Sequence, residues 1–265
     1  MTSSSVGPSL LRGTRALITG ASKGIGAAIA KRFAEEGVSC ILAGRNATRL
    51  AQVKDDLLPP SKNPYPTLFD KTDFQSSHSS HRILVGDVSE ESFWKQVKRE
   101  DHIDILVNAA GITHYSPLCI TNLNLVNEII QTNLVGTLLG CRTVGKGMLA
   151  RKGGCIINVS SLLGLKGGNG SAAYAASKAG VIGLSRSLAA ELGRKNIRVN
   201  VIVPGYIDTD MTLAMTPQAR THALENIPVG RFGQATEIAD AAIFLACNKY
   251  ANNCVLVLDG GLSAM

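Results

Sequence analysis

A glycine-rich turn between a short apolar run and an amphipathic stretch constrains this chain more than any other feature. Residues 16–19 predict a buried strand, Gly20, Gly24 and Gly26 follow it, and Ile25–Glu36 has helical periodicity. Glycine permits a tight turn and lets the backbone approach a pyrophosphate, while the first N–H groups of the following helix bind phosphate. This order predicts a dinucleotide site, with a tight turn that binds nothing as the alternative.

Seven apolar runs alternate with helix-length stretches along the chain. The runs that predict strands are Ala16–Thr19, Ser39–Ala43, Arg82–Gly86, Ile103–Asn108, Cys155–Ser160, Arg198–Val203 and Cys254–Leu258. Helices are expected over Ile25–Glu36, Ala47–Leu58, 122–150 and 172–193. Strands that are apolar on both faces are typical of a parallel sheet covered by helices on both sides. The pattern predicts a single doubly wound, Rossmann-type α/β domain over residues 1–265.

Two segments fall outside this rhythm. Residues 1–13 are expected to form a flexible N-terminus, and residues 59–81, which are rich in proline and serine, a surface insertion. His78 and His81 in the insertion are expected to be solvated rather than metal ligands. The first residues lack the apolar core of a secretory signal but are rich in serine and free of acids, so the mitochondrial matrix and the cytoplasm both stay open.

The composition excludes several classes of protein. Hydrophobic residues make up 45% and charged residues 18%, which is typical of a packed globular chain. No apolar run reaches the ~18 residues of a membrane span. The six cysteines form no C-x-x-C pair, so they predict reduced core residues and no metal site. The net charge of +7 suits an acidic partner, but 5% aromatic residues and no basic run disfavour nucleic acid.

Further motifs join the T-G-x-x-x-G-x-G pattern of residues 19–26. They are Asn108-Ala109-Ala110-Gly111 after the fourth strand, Asn133 on the next helix, Ser161 thirteen residues before Tyr174, the Y-x-x-x-K pair of Tyr174 and Lys178, and Pro204-Gly205 after the sixth strand. Together these motifs resemble the short-chain dehydrogenase/reductase family from Thr14 to Gly261. The resemblance implies hydride transfer between a nicotinamide cofactor and a carbonyl group.

The resemblance also implies a catalytic group of four residues: Asn133, Ser161, Tyr174 and Lys178. Tyr174 would donate a proton to the carbonyl oxygen that Ser161 holds, and Asn133 would position a water connecting Lys178 to solvent. Lys178 lies four residues after Tyr174 on one helix face, so its ammonium is expected to lower the Tyr174 pKa while it binds the nicotinamide ribose. Taken alone, such a pair is more often a surface pair with the lysine extended to solvent.

The charge after the second strand favours NADP(H). NAD enzymes usually place a carboxylate there for the ribose 2′-hydroxyl, whereas this chain has Arg45. Arg45 and Lys23 could both bind a 2′-phosphate, unless they are solvated surface charges. With the family's other contacts, the expected cofactor residues are Gly20, Ser22, Lys23, Gly24, Ile25, Gly26, Arg45, Asp87, Val88, Asn108, Ala109, Gly111, Tyr174, Lys178, Pro204, Gly205, Ile207 and Thr209.

Within the family, residues 196–205, 209–211 and 227–233 most resemble the reductases of 3-oxoacyl thioesters on acyl carrier protein. Carrier proteins are acidic, and four cations are expected to dock one near the mouth of the site, unless they only complement helix dipoles. These cations are Arg151, Lys152, Arg194 and Lys195. The alternatives are a broad carbonyl, quinone or hydroxysteroid reductase and a non-catalytic NADP-binding regulator.

Two structural expectations accompany this resemblance. In the family, the helices at 122–150 and 172–193 pack against their counterparts, so a homotetramer is expected. Asn253 stands before the last strand where the family usually has glycine, and it is expected to adopt the left-handed conformation.

Overall fold

A computed structural model describes residues 10–60 and 80–264. Within these ranges one sheet holds seven parallel strands in the order β3-β2-β1-β4-β5-β6-β7. The strands are β1 Arg15–Thr19, β2 Ser39–Gly44, β3 Arg82–Val85, β4 Ile105–Asn108, β5 Gly154–Val159, β6 Ile197–Pro204 and β7 Val255–Leu258. The order reverses direction between β1 and β4, which makes the ends of these strands the switch point of a doubly wound fold. The expected fold class is confirmed.

Helices cover both faces of the sheet. They are α1 Gly24–Glu35, α2 Ala47–Asp55, α3 Glu91–Val97, α4 Leu123–Ile130, α5 Gly136–Arg151, α6 Leu163–Lys166, α7 Ala172–Leu192, α8 Asp210–Leu213, α9 Pro217–Glu225 and α10 Ala235–Cys247. Successive strand residues pack on opposite faces of the sheet. Ile105 and Val107 pack against α1 and α10 on one face, and Leu106 packs against α3 and α5 on the other. Among the described residues, no helix is long and apolar enough to cross a membrane.

Several boundaries differ from the sequence-based expectations. The helix expected over 122–150 is α4 and α5 joined by a single π-helical segment, Gln131–Val135. The helix expected to reach Leu58 ends at Asp55. The sequence did not predict α3, which is held by the burial of Phe93 and Trp94 and by a 2.7 Å hydrogen bond from Trp94 Nε1 to the Val88 carbonyl.

The two segments expected to be flexible are partly ordered. Leu11 is fully buried, and its carbonyl accepts a hydrogen bond from Thr14 Oγ1, so packed structure begins before residue 14. Residues 1–9 and 61–79, including His78, lie outside the described residues. His81 accepts the Cys40 N–H on Nδ1 and bonds the Leu58 carbonyl through Nε2, so it ties the end of the insertion to β2 and was wrongly expected to be free in solvent.

The backbone at Asn253 and the state of the cysteines were also predicted from the sequence. Asn253 has φ 64°, so the predicted left-handed conformation before β7 is confirmed. All six cysteines lie in the described ranges, and none of them is in a disulfide.

Candidate active site

The predicted cofactor loops meet at the carboxyl edge of the sheet. Gly20–Gly26 follows β1, Ala109–Gly111 follows β4, Ser161 lies just beyond β5, and Gly205 follows β6. Ligands of doubly wound proteins bind in the crevice outside this edge, at the switch point. The fold therefore gathers motifs that lie up to 185 residues apart in the sequence.

Glycines let the first two loops touch. A Cβ at Gly20, whose φ is +68°, would lie 2.7 Å from the Ala109 carbonyl oxygen, and a Cβ at Gly26 would lie 2.4 Å from the Gly20 carbonyl oxygen. Thr19 Oγ1 accepts hydrogen bonds from the N–H groups of Ala109 and Ala110, both at 3.2 Å. The turn is thus fixed by contacts that any side chain at these two glycines would prevent.

The start of α1 suits an anionic group. Lys23 is its N-cap, makes no side-chain capping bond, and is followed by a first turn without acids. The first N–H groups of an α-helix have no partner inside the helix, and the helix dipole places positive charge there. Together with the glycine turn, this arrangement fits the pyrophosphate of a dinucleotide.

The cations expected at the ribose are already paired with acids. Lys23 Nζ lies 2.9 Å from Asp210 Oδ2, and Arg45 Nη1 lies 3.6 Å from Asp87 Oδ2. Burial would raise the Asp87 pKa, but the hydrogen bonds from Ser89 and the Arg45 charge outweigh it, so the pKa lies below its ordinary value. Asp87 is therefore an anion, and its Oδ1 is occupied by Ser89.

The proposed proton donor is buried beside its expected partner. Tyr174 is 8% exposed, and the Ser161 side chain lies close enough to its hydroxyl to affect its pKa. Burial raises the Tyr174 pKa above its ordinary value, and the Ser161 side chain only partly opposes this. The expected lowering by Lys178 is wrong for this structure, because burial dominates and the lysine amino group bonds elsewhere. A phenol in this state holds its proton at neutral pH, as a proton donor must.

Lys178 is buried, with 5% of its surface exposed. Its Nζ donates to the Val159 carbonyl at 2.9 Å and lies 5.8 Å from the centre of the Tyr174 ring. Burial lowers the Lys178 pKa from 10.5 to about 8. A Cβ at Gly111 would lie 3.3 Å from Asn133 Oδ1 and 3.4 Å from this Nζ, so the loop after β4 passes close beside the lysine. Lys178 and the cofactor loop are therefore neighbours, and the surface-pair alternative for Tyr174 and Lys178 is wrong.

Asn133 stands in the π-helical segment and fixes the loop after β4. Its Oδ1 accepts the Ile112 N–H at 2.8 Å, and its Nδ2 donates to the Ile112 carbonyl and to Ser177 Oγ. Both amide hydrogens are thus used inside the protein, and the side chain clamps this loop to α7. π-helical turns are frequent at functional sites, where they shift one residue out of helical register.

Asn108 is used differently from the sequence-based expectation. Its Nδ2 donates to Asn158 Oδ1 at 2.8 Å, and Asn158 Nδ2 donates to Ser185 Oγ at 2.8 Å, all within the core. The Asn108 amide is therefore committed to a buried network that joins β4, β5 and α7. Its side chain therefore anchors the end of β4, from which the loop Ala109–Gly111 starts.

The expected residues after β3 and β6 are held in place by neighbouring segments. Val88 is buried and accepts the Trp94 hydrogen bond through its carbonyl, while Ile207 forms a β-bridge with Gly233. The Thr209 side chain would lie 3.4 Å from a Cβ at Gly24, so the loop after β6 contacts the glycine turn.

The four expected docking cations lie at the opposite edge of the sheet. Arg151 and Lys152 end α5 just before β5 begins, and Arg194 and Lys195 end the turn before β6. Arg151 Nη2 donates to the Ile103 carbonyl, which precedes β4. Because β5 has six residues, these cations are about 20 Å from its Ser161 end. Their expected place at the mouth of the same site is wrong.

The structure adds residues that the sequence motifs did not indicate. Arg49, in the first turn of α2, lies 3.6 Å from Asp210 and joins the cation cluster. Both ring nitrogens of His114, in the loop after Gly111, are buried without a partner among the described residues. Nothing in the spacing of the motifs could have marked these residues, because their roles depend on which loops meet.

Comparisons with known proteins agree with this geometry. The family model described as short chain dehydrogenase matches residues 14–220. The 3-oxoacyl-acyl-carrier-protein reductase FabG of Chlamydia muridarum is 39% identical over 257 residues, covering 96% of this chain and 99% of that protein. Carbonyl reductase family member 4 of Xenopus laevis is 36% identical, covering 92% and 96%.

A solved structure provides the comparison of folds. The gluconate 5-dehydrogenase of Burkholderia cenocepacia J2315, in complex with NADP and tartrate, superposes with a TM-score of 0.83 at 30% identity. The match covers 97% of this chain and 98% of that one.

Proposed function

We propose that this chain, which belongs to the short-chain dehydrogenase family, uses NADPH to reduce the 3-oxo group of an acyl thioester held on an acyl carrier protein. The oxidoreductase class follows from the family. The observation that carries the proposed chemistry is the burial of Tyr174 and Lys178 side by side, with the Ser161 side chain next to the Tyr174 hydroxyl. The choice of substrate is supported by the similarity to 3-oxoacyl-acyl-carrier-protein reductases over nearly the whole chain.

In this mechanism the nicotinamide, when bound, supplies a hydride to the carbonyl carbon. Negative charge then develops on the carbonyl oxygen, and a hydrogen bond from Ser161 stabilises it. Tyr174 transfers its phenolic proton to that oxygen. Because the Tyr174 pKa is raised, the phenol carries this proton at neutral pH before the reaction. Lys178 donates to the Val159 carbonyl at the end of β5, and Asn133 fixes Ile112 against α7.

Exposed apolar side chains beside the crevice favour an acyl substrate. The segment after the cofactor loop exposes Tyr115, Leu118, Ile120 and Leu123, and the loop after β6 exposes Leu213. Tyr115 lies against Gly170, shortly before Tyr174 in α7, so this apolar surface begins next to the catalytic helix. Such a surface suits a hydrocarbon chain better than a polyhydroxy acid.

The substrate class is tested by measuring the rate of NADPH oxidation with a panel of carbonyl compounds at matched concentrations. We expect the highest kcat/KM with acetoacetyl thioesters, and with the carrier-protein thioester above the coenzyme A thioester. Tyr174→Phe keeps the ring and removes the hydroxyl, so turnover should fall by about 10²–10⁴ while NADPH binding, followed by fluorescence, persists. Near-normal turnover of Tyr174→Phe would contradict the mechanism.

A broad carbonyl reductase is the second candidate, supported by the 36% identity to carbonyl reductase family member 4. Quinones, ketosteroids and a keto sugar acid therefore belong in the panel. A higher kcat/KM for quinones or steroids than for any thioester would favour this candidate. If the chain binds NADPH but reduces none of these carbonyl compounds, a non-catalytic NADP-binding regulator is favoured instead.

We also propose a homotetramer built on α5 and α7. A groove between these helices is lined by Leu138, Leu149, Leu184 and Leu188, and the first two are substantially exposed. Burying such leucines against a second copy would remove apolar surface from water. A monomeric mass by light scattering at micromolar concentration would contradict the tetramer.

A further inference from the structure

Two cations from different segments converge on one carboxylate oxygen next to the glycine turn. Lys23 Nζ lies 2.9 Å and Arg49 Nη1 3.6 Å from the same atom, Asp210 Oδ2. Lys23 ends the glycine turn, Arg49 belongs to the first turn of α2, and Asp210 begins α8 in the loop after β6. The two cations therefore form a site for an anionic oxygen, and the Asp210 carboxylate stands in it.

This anion site adjoins the place where the ribose of the cofactor is expected. A Cβ at Gly44, the last residue of β2, would lie 3.7 Å from Ser22 Oγ, so the end of β2 meets the glycine turn. Arg45 follows at once, and Asn46 caps α2 by accepting the Arg49 N–H. Dinucleotide-binding folds place the residues that read the ribose 2′ position directly after this strand. Lys23, Arg45 and Arg49 therefore belong to the segments that meet at the end of β2.

We propose that Arg49 completes the 2′-phosphate site with Lys23 and Arg45, and that Asp210 competes with the 2′-phosphate for Lys23 and Arg49. The inference rests on the proposed use of NADP(H). A phosphate carries up to two charges and three free oxygens, so it can engage both cations more fully than one carboxylate oxygen does. A 2′-hydroxyl has no charge with which to displace Asp210.

Charge counting shows the direction of the effect. Three cations, Lys23, Arg45 and Arg49, face two acids, Asp87 and Asp210, so the cluster has one net positive charge. Removing the Asp210 charge doubles that excess and frees both cations it holds. The pairs are about half exposed, and exposed pairs contribute little, so the expected change in affinity is several-fold rather than a thousandfold.

The test compares two ligands that differ only in the 2′-phosphate. Binding of 2′,5′-ADP and 5′-AMP to the full chain is measured by calorimetry at fixed ionic strength. Asp210→Asn should strengthen 2′,5′-ADP binding about three- to fivefold and leave 5′-AMP unchanged. Arg49→Gln should weaken 2′,5′-ADP by a similar factor and leave 5′-AMP unchanged.

A matched control separates this local effect from the change in net charge. Asp56 pairs with Lys31 at 2.7 Å with similar exposure, but at the far end of α2. Asp56→Asn should change neither affinity. The inference is wrong if Asp210→Asn leaves 2′,5′-ADP binding unchanged or weaker, if it strengthens 5′-AMP equally, or if Asp56→Asn has the same effect. If the unmodified chain binds 5′-AMP as tightly as 2′,5′-ADP, the NADP(H) preference itself fails.

Discussion

The buried amino group of Lys178 should reduce the stability of the fold, and Lys178→Met tests this. Its pKa falls from 10.5 to about 8 on burial, a difference of about 2.5 pKa units at about 1.4 kcal/mol each. The folded chain therefore carries a penalty of about 3 kcal/mol for keeping the ammonium at pH 7. Methionine removes that penalty but leaves the Val159 carbonyl without its donor, which costs about 1–3 kcal/mol. We expect Lys178→Met to be more stable by about 1 kcal/mol at pH 7.

The buried lysine also determines how the stability of the chain changes with pH. Between pH 8 and 10.5 the lysine of the unfolded chain is protonated and the folded one is not, so the unfolded state binds more protons. The stability of the unmodified chain should therefore rise with pH across this window, and the advantage of Lys178→Met should shrink and then reverse.

The assay is urea unfolding followed by circular dichroism at pH 7, 8, 9 and 10, at one protein concentration. Lys95→Met, at an exposed position of α3, serves as the control. A Lys178→Met variant that is clearly less stable at pH 7, or a stability difference that does not change with pH, would refute the reasoning.

Three further changes have expected outcomes. Arg45→Asp should shift preference from NADPH toward NADH, and unchanged ratios of kcat/KM for the two cofactors would count against the role of Arg45. Gly140→Ala should cost about 1–3 kcal/mol in urea unfolding, because the new Cβ would lie 2.6 Å from Asn108 Oδ1, whereas Gly145→Ala, with no atom within 4 Å, should be neutral or stabilising. His81→Leu should lose about 1–2 kcal/mol at pH 8, since two hydrogen bonds disappear. Burial lowers the His81 pKa below 6.5, so its contribution is complete above pH 6.5, and the difference from His81→Leu should narrow as the pH falls through the folded value.

The fold was predictable because its strands are apolar on both faces and each is followed by a turn signal. The left-handed conformation of Asn253 was predicted from the position where the family usually has glycine. The π-helical segment was not predictable, since an α-helix and a π-helical turn share nearly the same apolar spacing. The short helix α3 depends on Trp94 reaching the Val88 carbonyl, which is a tertiary contact.

In the candidate site, too, features set by local sequence were predicted correctly, and features set by tertiary contacts were not. Residues fixed by a local motif, such as Tyr174 and Lys178, come together as predicted, because one helix carries both. The shift of the Tyr174 pKa was predicted with the wrong sign, since spacing gives the distance between two groups but not how much water surrounds them. Burial raises the Tyr174 pKa and lowers that of Lys178.

Predictions based on charged residues were the least reliable, because the role of a charge depends on which edge of the sheet it reaches. A helix that crosses back over a parallel sheet ends beside the start of the next strand, so Arg151 had to lie at the edge opposite Ser161. Lys23 and Asp210 are 187 residues apart, and only the closure of the loop after β6 over the glycine turn makes them partners. A cation counted in the sequence as a phosphate ligand can therefore already be paired with an acid in the fold. Its affinity for phosphate is then set by that acid, which is why Asp210 belongs to the description of the cofactor site.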